Sequence, residues 1–136
     1  MASPLFQDLR ELCLSWCQLT VDPLPSLTRL SNLTYLYLER AYNGEQLCFC
    51  VQQFPNLKWL GLIDLPQLQR VKIEMKAMVN LENLYMESLR NLTEVPEGIE
   101  FLTSLRKLIL YDMEPRLTSS LKDNDKLRHI NSIYTD

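Results

Sequence analysis

The fold class that this sequence predicts is α/β, a right-handed solenoid in which a short strand recurs in every turn and the strands form a parallel sheet. Three observations predict it. The pattern LxxLxL recurs at a constant spacing of 24 residues, its last two leucines lie two residues apart, and prolines fall between the copies. This period and alternation are the signature of leucine-rich repeats. We expect about five to six repeats in a horseshoe arc, with the sheet on its concave face.

The strands are predicted from the last two apolar positions of each copy. Copies are numbered from their first leucine, which lies at residues 9, 33, 57, 81 and 105. A spacing of two favours a strand that has one buried face. The residues at +3 and +5 are Leu12 and Leu14, Leu36 and Leu38, Leu60 and Leu62, Leu84 and Met86, and Leu108 and Leu110.

The connections between strands are predicted from apolar residues at intervals of three, which suit a short α-helical or 3₁₀ turn with one buried side. Two further pairs, Leu68 with Val71 and Leu92 with Val95, should fill the interior. Proline would remove a hydrogen bond from a strand ladder, and it is confined to the connections. The apolar residues are Phe6, Leu30, Phe54, Met78 and Leu102 at −3, and Leu27, Val51, Met75 and Ile99 at −6.

The last copy is degenerate. Leu127 and Ile130 fit the pattern only if the spacing shortens to 22, which places Ser132 in an apolar position. A more polar final coil suits a cap that faces water. We therefore predict one leucine-rich-repeat domain over residues 1–136, with a degenerate terminal coil at residues 117–136.

The first copy has no capping element, because the pattern begins at Ser3 and Phe6, almost in the middle of a coil. We interpret the sequence as the C-terminal part of a longer protein. A self-capping N-terminus is the alternative.

Composition excludes several classes of function. The formal net charge is −3 and the isoelectric point about 5.2, without a block of like charges. A nucleic-acid-binding or polybasic membrane-binding surface would be basic. No apolar run approaches the roughly 20 residues of a transmembrane segment. The first residues lack the features of a secretory signal, and the spacing of the four cysteines fits no disulfide framework, so we expect a cytoplasmic protein.

Catalytic and metal sites have little support. His129 is the only histidine, and nothing near it in the sequence marks a nucleophile, so we expect no enzyme and no cofactor. Cys48 and Cys50 would need two further ligands to hold a metal ion, and Cys13 and Cys17 lie in another coil. We predict instead that Cys17 and one of Cys48 or Cys50 pack in the core.

The concave face of the sheet is the predicted site for a protein partner. Residues at +2, +4 and +6 should lie there, since strand side chains alternate. Five of them are aromatic, and tyrosine and tryptophan are enriched in interface hot spots. The alternative is that aromatics simply favour strands and pair across them. The candidate partner-binding residues are Tyr35, Tyr37, Glu39, Trp59, Tyr85, Glu87, Lys107 and Tyr111.

Residues 54–115 carry more specific motifs, namely FPNLKWLGL, LPQLQRVKIE, LENLYM and LTEVPEGIEFLTSLRKLIL. With these the chain resembles the C-terminal repeats of plant coiled-coil nucleotide-binding leucine-rich-repeat (NLR) disease-resistance proteins. The resemblance covers nearly the whole chain. One departure is the position after each strand, where the common asparagine or cysteine occurs only as Cys17. Less regular turns are therefore expected after the strands.

The resemblance implies a role in plant defence through protein–protein interaction. In such receptors these repeats help to recognise a pathogen effector or a modified host protein, and to hold the nucleotide-binding domain of the same receptor inactive. The nucleotide-binding GxxxxGK[ST] loop does not occur in this sequence. The alternative is a free-standing leucine-rich-repeat adaptor or scaffold, such as a substrate receptor of a ubiquitin ligase.

Overall fold

The computed structural model of this protein describes residues 8–136, and the start of the repeat pattern at Ser3 and Phe6, where no capping element is expected, lies outside them. Two short α-helices, α1 (Leu24–Leu27) and α2 (Pro115–Ser119), and two 3₁₀ turns, Ile99–Phe101 and Asp125–Leu127, occur in this range. The strands are β1 (Glu11–Ser15), β2 (Tyr35–Glu39), β3 (Gln46–Phe49), β4 (Trp59–Ile63), β5 (Arg70–Ile73), β6 (Asn83–Glu87), β7 (Lys107–Tyr111) and β8 (Ser132–Thr135).

Six of the strands form one parallel sheet in the order β1-β2-β4-β6-β7-β8. From β1 to β7 each residue pairs with the residue 24 positions later, so Leu12 pairs with Leu36 and Leu36 with Leu60. Parallel pairing requires a crossover connection between successive strands of the sheet. The α/β class and the parallel sheet are therefore confirmed.

The core lies on one side of this sheet, where the +3 and +5 side chains point. From β2 to β7 these side chains and the first leucine of each copy are buried, and Leu33, Leu36 and Leu38 have no exposed surface. Burying one leucine side chain contributes about 1.5–3 kcal/mol. Leu9, Leu12 and Leu14 are only partly buried, because β1 pairs on one edge alone within the described chain.

The connections hold a second sheet that the sequence pattern did not predict. Strands β3 and β5 pair in parallel, and they direct Leu47, Phe49, Val71 and Ile73 into the core. Leu68 and Leu92 are also buried, as expected, while Val95 is partly buried.

The expected helical turns form only where α1 ends at Leu27 and where the 3₁₀ turn begins at Ile99. The prediction that Val51 and Met75 are buried is wrong, since their exposed fractions are 52% and 60%. The reason is that β3 and β5 already fill the interior. The chain then turns outward, directly after those strands.

The register of the last strand corrects another expectation. Leu108 pairs with Ile133, which lies 25 residues later, so the spacing lengthens rather than shortening to 22. Ile130 thus takes the place of a first leucine, and Ser132 takes a +2 position. The added length accommodates α2 and the turn Asp125–Leu127, whose Leu117 and Leu127 are buried.

The turn after each strand is regular, contrary to expectation. The residue that follows β1, β2, β4, β6 and β7 has a positive φ in each case, between 45° and 61°. The first four donate their backbone N–H to a carbonyl of the next strand, as in Arg40 to Ile63 at 3.1 Å. This hydrogen bond offsets the cost of the left-handed conformation in a residue other than glycine. The five residues are Trp16, Arg40, Asp64, Ser88 and Asp112.

A polar ladder lies at the opposite ends of the strands, at position −1. The Asn56 Nδ2 donates to the Ser31 carbonyl at 3.0 Å, and the Asn80 Nδ2 donates to the Pro55 carbonyl at 2.8 Å. Ser104 continues the series by donating to Val79 at 3.0 Å. Each bond satisfies a carbonyl of the preceding copy, which fixes the distance between neighbouring copies.

Candidate functional site

The face of the six-stranded sheet opposite the core carries the +2, +4 and +6 side chains, and we call it the aromatic face. The alternation of strand side chains places them there. Tyr35, Tyr37, Trp59 and Tyr85 are half-buried, and Tyr111 has an exposed fraction of 42%. The face is therefore a partly exposed apolar surface.

The five aromatic rings form one connected group that spans four strands. The centroid of Tyr35 lies 5.6 Å from that of Tyr37 and 6.0 Å from that of Trp59. Tyr85 lies 6.2 Å from both Tyr37 and Trp59, and 5.9 Å from Tyr111. These separations are within the range of favourable aromatic pairs. The rings therefore hold one another in fixed positions.

Gly61 makes this arrangement possible. It lies at +4 in the middle of β4, between Tyr37 of β2 and Tyr85 of β6. A Cβ atom at this position would lie 2.5 Å from the Tyr37 Cε2 atom. The Tyr37 ring therefore lies across the β4 backbone and reaches Tyr85. Such close approach is a known reason for glycine inside a strand.

Three phenol groups of this face, those of Tyr35, Tyr37 and Tyr85, have environments that favour their neutral form. Burial raises the pKa of Tyr35, Tyr37 and Tyr85 above the ordinary value of 10.0. For Tyr85 a hydrogen bond to Glu87 raises the pKa further, because the hydroxyl donates to the carboxylate. The nearby charges of Glu87 and Glu39 also raise the pKa of Tyr37.

The carboxyl ends of the strands carry a column of interacting side chains at +7. The Arg40 guanidinium lies 4.7 Å from the Trp16 ring centroid and 2.5 Å from the Asp64 Oδ2. Asp112 accepts a hydrogen bond of 2.8 Å from Ser88 and pairs with Arg90 at 2.6 Å. The column therefore joins β1 to β4 and β6 to β7 at one edge of the aromatic face.

All eight candidate residues lie on the sheet, but they are not one cluster. The five aromatic rings are in contact and Glu87 accepts the hydrogen bond from Tyr85, while Glu39 lies at the carboxyl end of β2 and Lys107 begins β7. Sequence reasoning missed Gly61, Trp16, Arg40 and Asp64. The available signals were a glycine in mid-strand and an arginine and an aspartate spaced by 24 residues.

The central ring also carries an unsatisfied donor. Within the part of the chain that the structure describes, the indole Nε1 of Trp59 is buried without a hydrogen-bond partner. A buried donor that lacks an acceptor costs about 1–3 kcal/mol.

The prediction that cysteines pack in the core is wrong. Cys13 and Cys17 are exposed, because they lie on or after the edge strand β1. Cys48 and Cys50 alternate with buried Phe49, so they point outward and are only partly buried. Their sulfurs are 3.6 Å apart, and burial together with this contact raises the pKa of Cys48 to about 11.

Residues 8–136 contain no group of three or more histidine, cysteine, aspartate or glutamate side chains able to hold a metal ion. In the same range no helix has the length and apolar character needed to cross a bilayer.

Comparison with known proteins gives relatives of one kind. Disease resistance protein RPM1 of Arabidopsis thaliana is 35% identical over 132 residues, which is 93% of this chain and 14% of that protein. Probable disease resistance protein RF45 is 31% identical over 127 residues, or 92% of this chain and 12% of the relative. Disease resistance RPP8-like protein 3 is 29% identical over 125 residues, or 90% and 14%. Both are also from Arabidopsis thaliana.

These relatives confirm the predicted resemblance to plant disease-resistance proteins. The chain spans only 12–14% of their length. No family model and no solved structure matches it. The relatives support a role related to plant defence.

Proposed function

We propose that this chain is the leucine-rich-repeat part of a plant intracellular immune receptor and acts in defence by recognising a protein. The observation that carries the proposal is the aromatic face, whose five rings are in contact across four strands of a sheet in a chain similar to disease-resistance proteins. Aromatic side chains in fixed positions bind a partner with little loss of conformational entropy.

Several structural features support a solenoid. The register of 24 residues, the second sheet of the connections and the polar ladder at −1 all join each copy to its neighbours in sequence. Repeats that contact only their neighbours stack into curved arrays, with an extended surface for binding. In this proposal the aromatic face lies on the concave side.

The partner surface would work through contact and conformation, without catalysis or a cofactor. The proposed partners are a pathogen effector, a modified host protein or the nucleotide-binding domain of the same receptor, met in the cytoplasm. A partner that binds an active conformation more tightly than an inactive one would shift the receptor towards activity.

Affinity capture from plant leaves tests the proposal. The tagged chain is expressed as wild type, as a Trp59→Ala/Tyr85→Ala variant, and as a Gln46→Ala/Lys72→Ala control on the exposed side of β3 and β5. We expect the wild type and the control to retain the same proteins. The aromatic variant should lose them by at least about tenfold, since hot-spot residues contribute this much or more.

Two checks make the result decisive. Urea denaturation must show that all three proteins are folded, so that lost capture reflects the surface alone. Equal capture by wild type and aromatic variant would exclude the aromatic face as the binding surface. Pathogen growth on leaves that express the wild type or the aromatic variant tests the defence role, and equal growth would argue against it.

A further inference from the structure

The carboxyl ends of the sheet strands are acidic. Five carboxylates lie there, at positions +6 and +7 of successive strands and at the chain's last residue. Two are neutralised within the chain, because Asp64 pairs with Arg40 and Asp112 pairs with Arg90. The five are Glu39, Asp64, Glu87, Asp112 and Asp136.

Glu39 and Glu87 lack a cationic partner among the described residues, whose ion pairs involve other carboxylates. Both are half-buried and lie next to the aromatic group. Glu87 accepts the hydrogen bond from Tyr85, and both carboxylates are near enough to Tyr37 to raise the pKa of its hydroxyl. Their charge therefore lies at the rim of the stacked rings.

At the same edge, an aromatic ring and a carboxylate of this chain together bind a cationic side chain. Arg40 lies over the Trp16 ring and also pairs with the Asp64 carboxylate. A guanidinium gains from an aromatic face and from a carboxylate at once. Tyr37, Tyr85 and Tyr111, together with Glu39 and Glu87, present this combination of groups to a cation from another molecule.

The amino ends of the strands have the opposite charge. Arg10, Lys58, Arg106 and Lys107 are exposed there. The only carboxylates nearby at positions +1 and +2 of the described strands are Glu11 and Glu82, and Glu82 pairs with Lys58 at 3.1 Å. A basic partner would be repelled from this edge and attracted to the other, since complementary potentials fix the orientation of a complex.

We propose that the aromatic face binds a basic protein segment, whose apolar side chains lie over the five rings and whose arginine or lysine side chains lie at Glu39 and Glu87. This inference rests on the proposed function, because it assumes that the face binds protein. Beyond the proposed function, the inference specifies that the partner segment is basic and that its cationic side chains lie at the carboxyl ends of the strands.

Peptide titration tests the inference. The probes are three synthetic peptides of equal length and equal tryptophan-free apolar content, in which alternate positions carry arginine, glutamine or glutamate. Trp16→Phe leaves Trp59 as the only tryptophan and keeps a ring for Arg40, so Trp59 fluorescence reports binding. We expect the arginine peptide to bind at least about tenfold more tightly than the glutamine peptide, and raised salt to weaken it.

Charge removal then locates the site. Glu39→Gln/Glu87→Gln should reduce the affinity for the arginine peptide by about tenfold. Glu45→Gln/Glu94→Gln, which removes the same charge from exposed positions in the connections, should leave it within about twofold.

Three outcomes would overturn the inference: equal affinity for the arginine and glutamine peptides, equal loss in both glutamine variants, or no binding of any peptide. A glutamine peptide that binds as tightly as the arginine peptide, and whose binding is lost in Tyr37→Ala/Tyr85→Ala with Trp59 kept as the reporter, would refute the basic partner yet support protein binding. Failure of the proposed function itself would be seen in the capture experiment, where the aromatic variant would retain every protein.

Discussion

Gly61 and Tyr37 show how a single residue sets the geometry of the aromatic face. Glycine normally weakens a strand, because it offers no side chain for packing. At +4 of β4 its lack of a Cβ lets the Tyr37 ring cross the strand and stack on Tyr85. The contact between Tyr37 and Tyr85 therefore depends on the missing Cβ of Gly61, which lies 24 positions after Tyr37.

Gly61→Ala should destabilise the protein by about 1–3 kcal/mol, which is the usual cost of overpacking. The added methyl group would meet the Tyr37 ring at 2.5 Å and force it away from Tyr85. Urea denaturation measures the loss in the free energy of unfolding. The control is the same substitution in a Tyr37→Ala background, where most of the cost should disappear. An equal cost in both backgrounds would show that Tyr37 does not lie over Gly61.

Tyr35, Tyr37 and Tyr85 should make stability fall as the pH rises through 10. Their pKa is raised in the folded state, so the unfolded chain loses its phenol protons first. The stabilisation they contribute is complete below the ordinary pKa of 10.0 and is lost above it. Phenolate absorbance in the native and urea-unfolded states measures the difference, and Tyr85→Phe should reduce it. Coincident titration of the two states would contradict the prediction.

At the scale of elements, the strands of the main sheet follow from the sequence and the connections do not. Two leucines spaced by two residues place one face of β2 in the core whatever surrounds it. Val51 and Met75 are apolar too, but their burial depends on whether β3 and β5 fill the interior first. The interval of 25 residues between the paired Leu108 and Ile133 could not be predicted from the leucine pattern either, because α2 and a 3₁₀ turn determine the length of that connection.

The candidate site also has a part that the sequence predicts and a part that it does not. Alternation alone predicted that five aromatics share a face, and in the structure their rings are in contact there. The contacts of Arg40 with Trp16 and Asp64 were not predicted. They depend on the left-handed turn at +7, which brings side chains from separate copies into contact. Whether the face binds protein stays a prediction.

The register of β4 predicts opposite outcomes for an aspartate substitution at Leu60 and one at Lys58. Leu60→Asp should reduce the free energy of unfolding by more than about 4 kcal/mol, because it removes a buried leucine and buries a carboxyl group. Lys58 is exposed and its pair with Glu82 is solvent-accessible, so Lys58→Asp should cost less than about 1 kcal/mol. Thermal unfolding followed by circular dichroism compares the two. Similar midpoints for both variants would exclude the observed register.

At the scale of the whole molecule, stability should be graded along the sheet. The strands β4 and β6 are paired on both edges and cover fully buried leucines, whereas the core residues of β1 are only partly buried. In stacked repeats each unit is stabilised by its neighbours, so units with one neighbour open more readily. We therefore expect the free energy of local unfolding to be highest in β4 and β6, which carry Trp59 and Tyr85 of the aromatic face.

Amide hydrogen exchange should reveal this gradient. We expect the slowest exchange in β4 and β6 and the fastest in β1 and β8, because an edge strand opens without disturbing the centre of the sheet. Mass spectrometry of peptides that cover each strand measures the rates. Leu84→Ala should accelerate exchange in β4, β6 and β7 alike, while equal protection of β1 and β4 in the wild type would contradict the gradient.

The constant interval of 24 residues also constrains how a gene for such a chain can change in length. The hydrogen bonds of the polar ladder join residues 25 positions apart, and those of the first four turns at +7 join residues 23 positions apart, so each kind connects one copy with the next at a constant sequence interval. An unequal crossover between the codons for two Asn-Leu pairs would add or remove one whole copy and leave both junctions unchanged. Gain or loss of a single codon inside a strand would instead turn its leucines towards water. Heritable variation in length should therefore occur in whole copies, each of which adds or removes one row of the aromatic face.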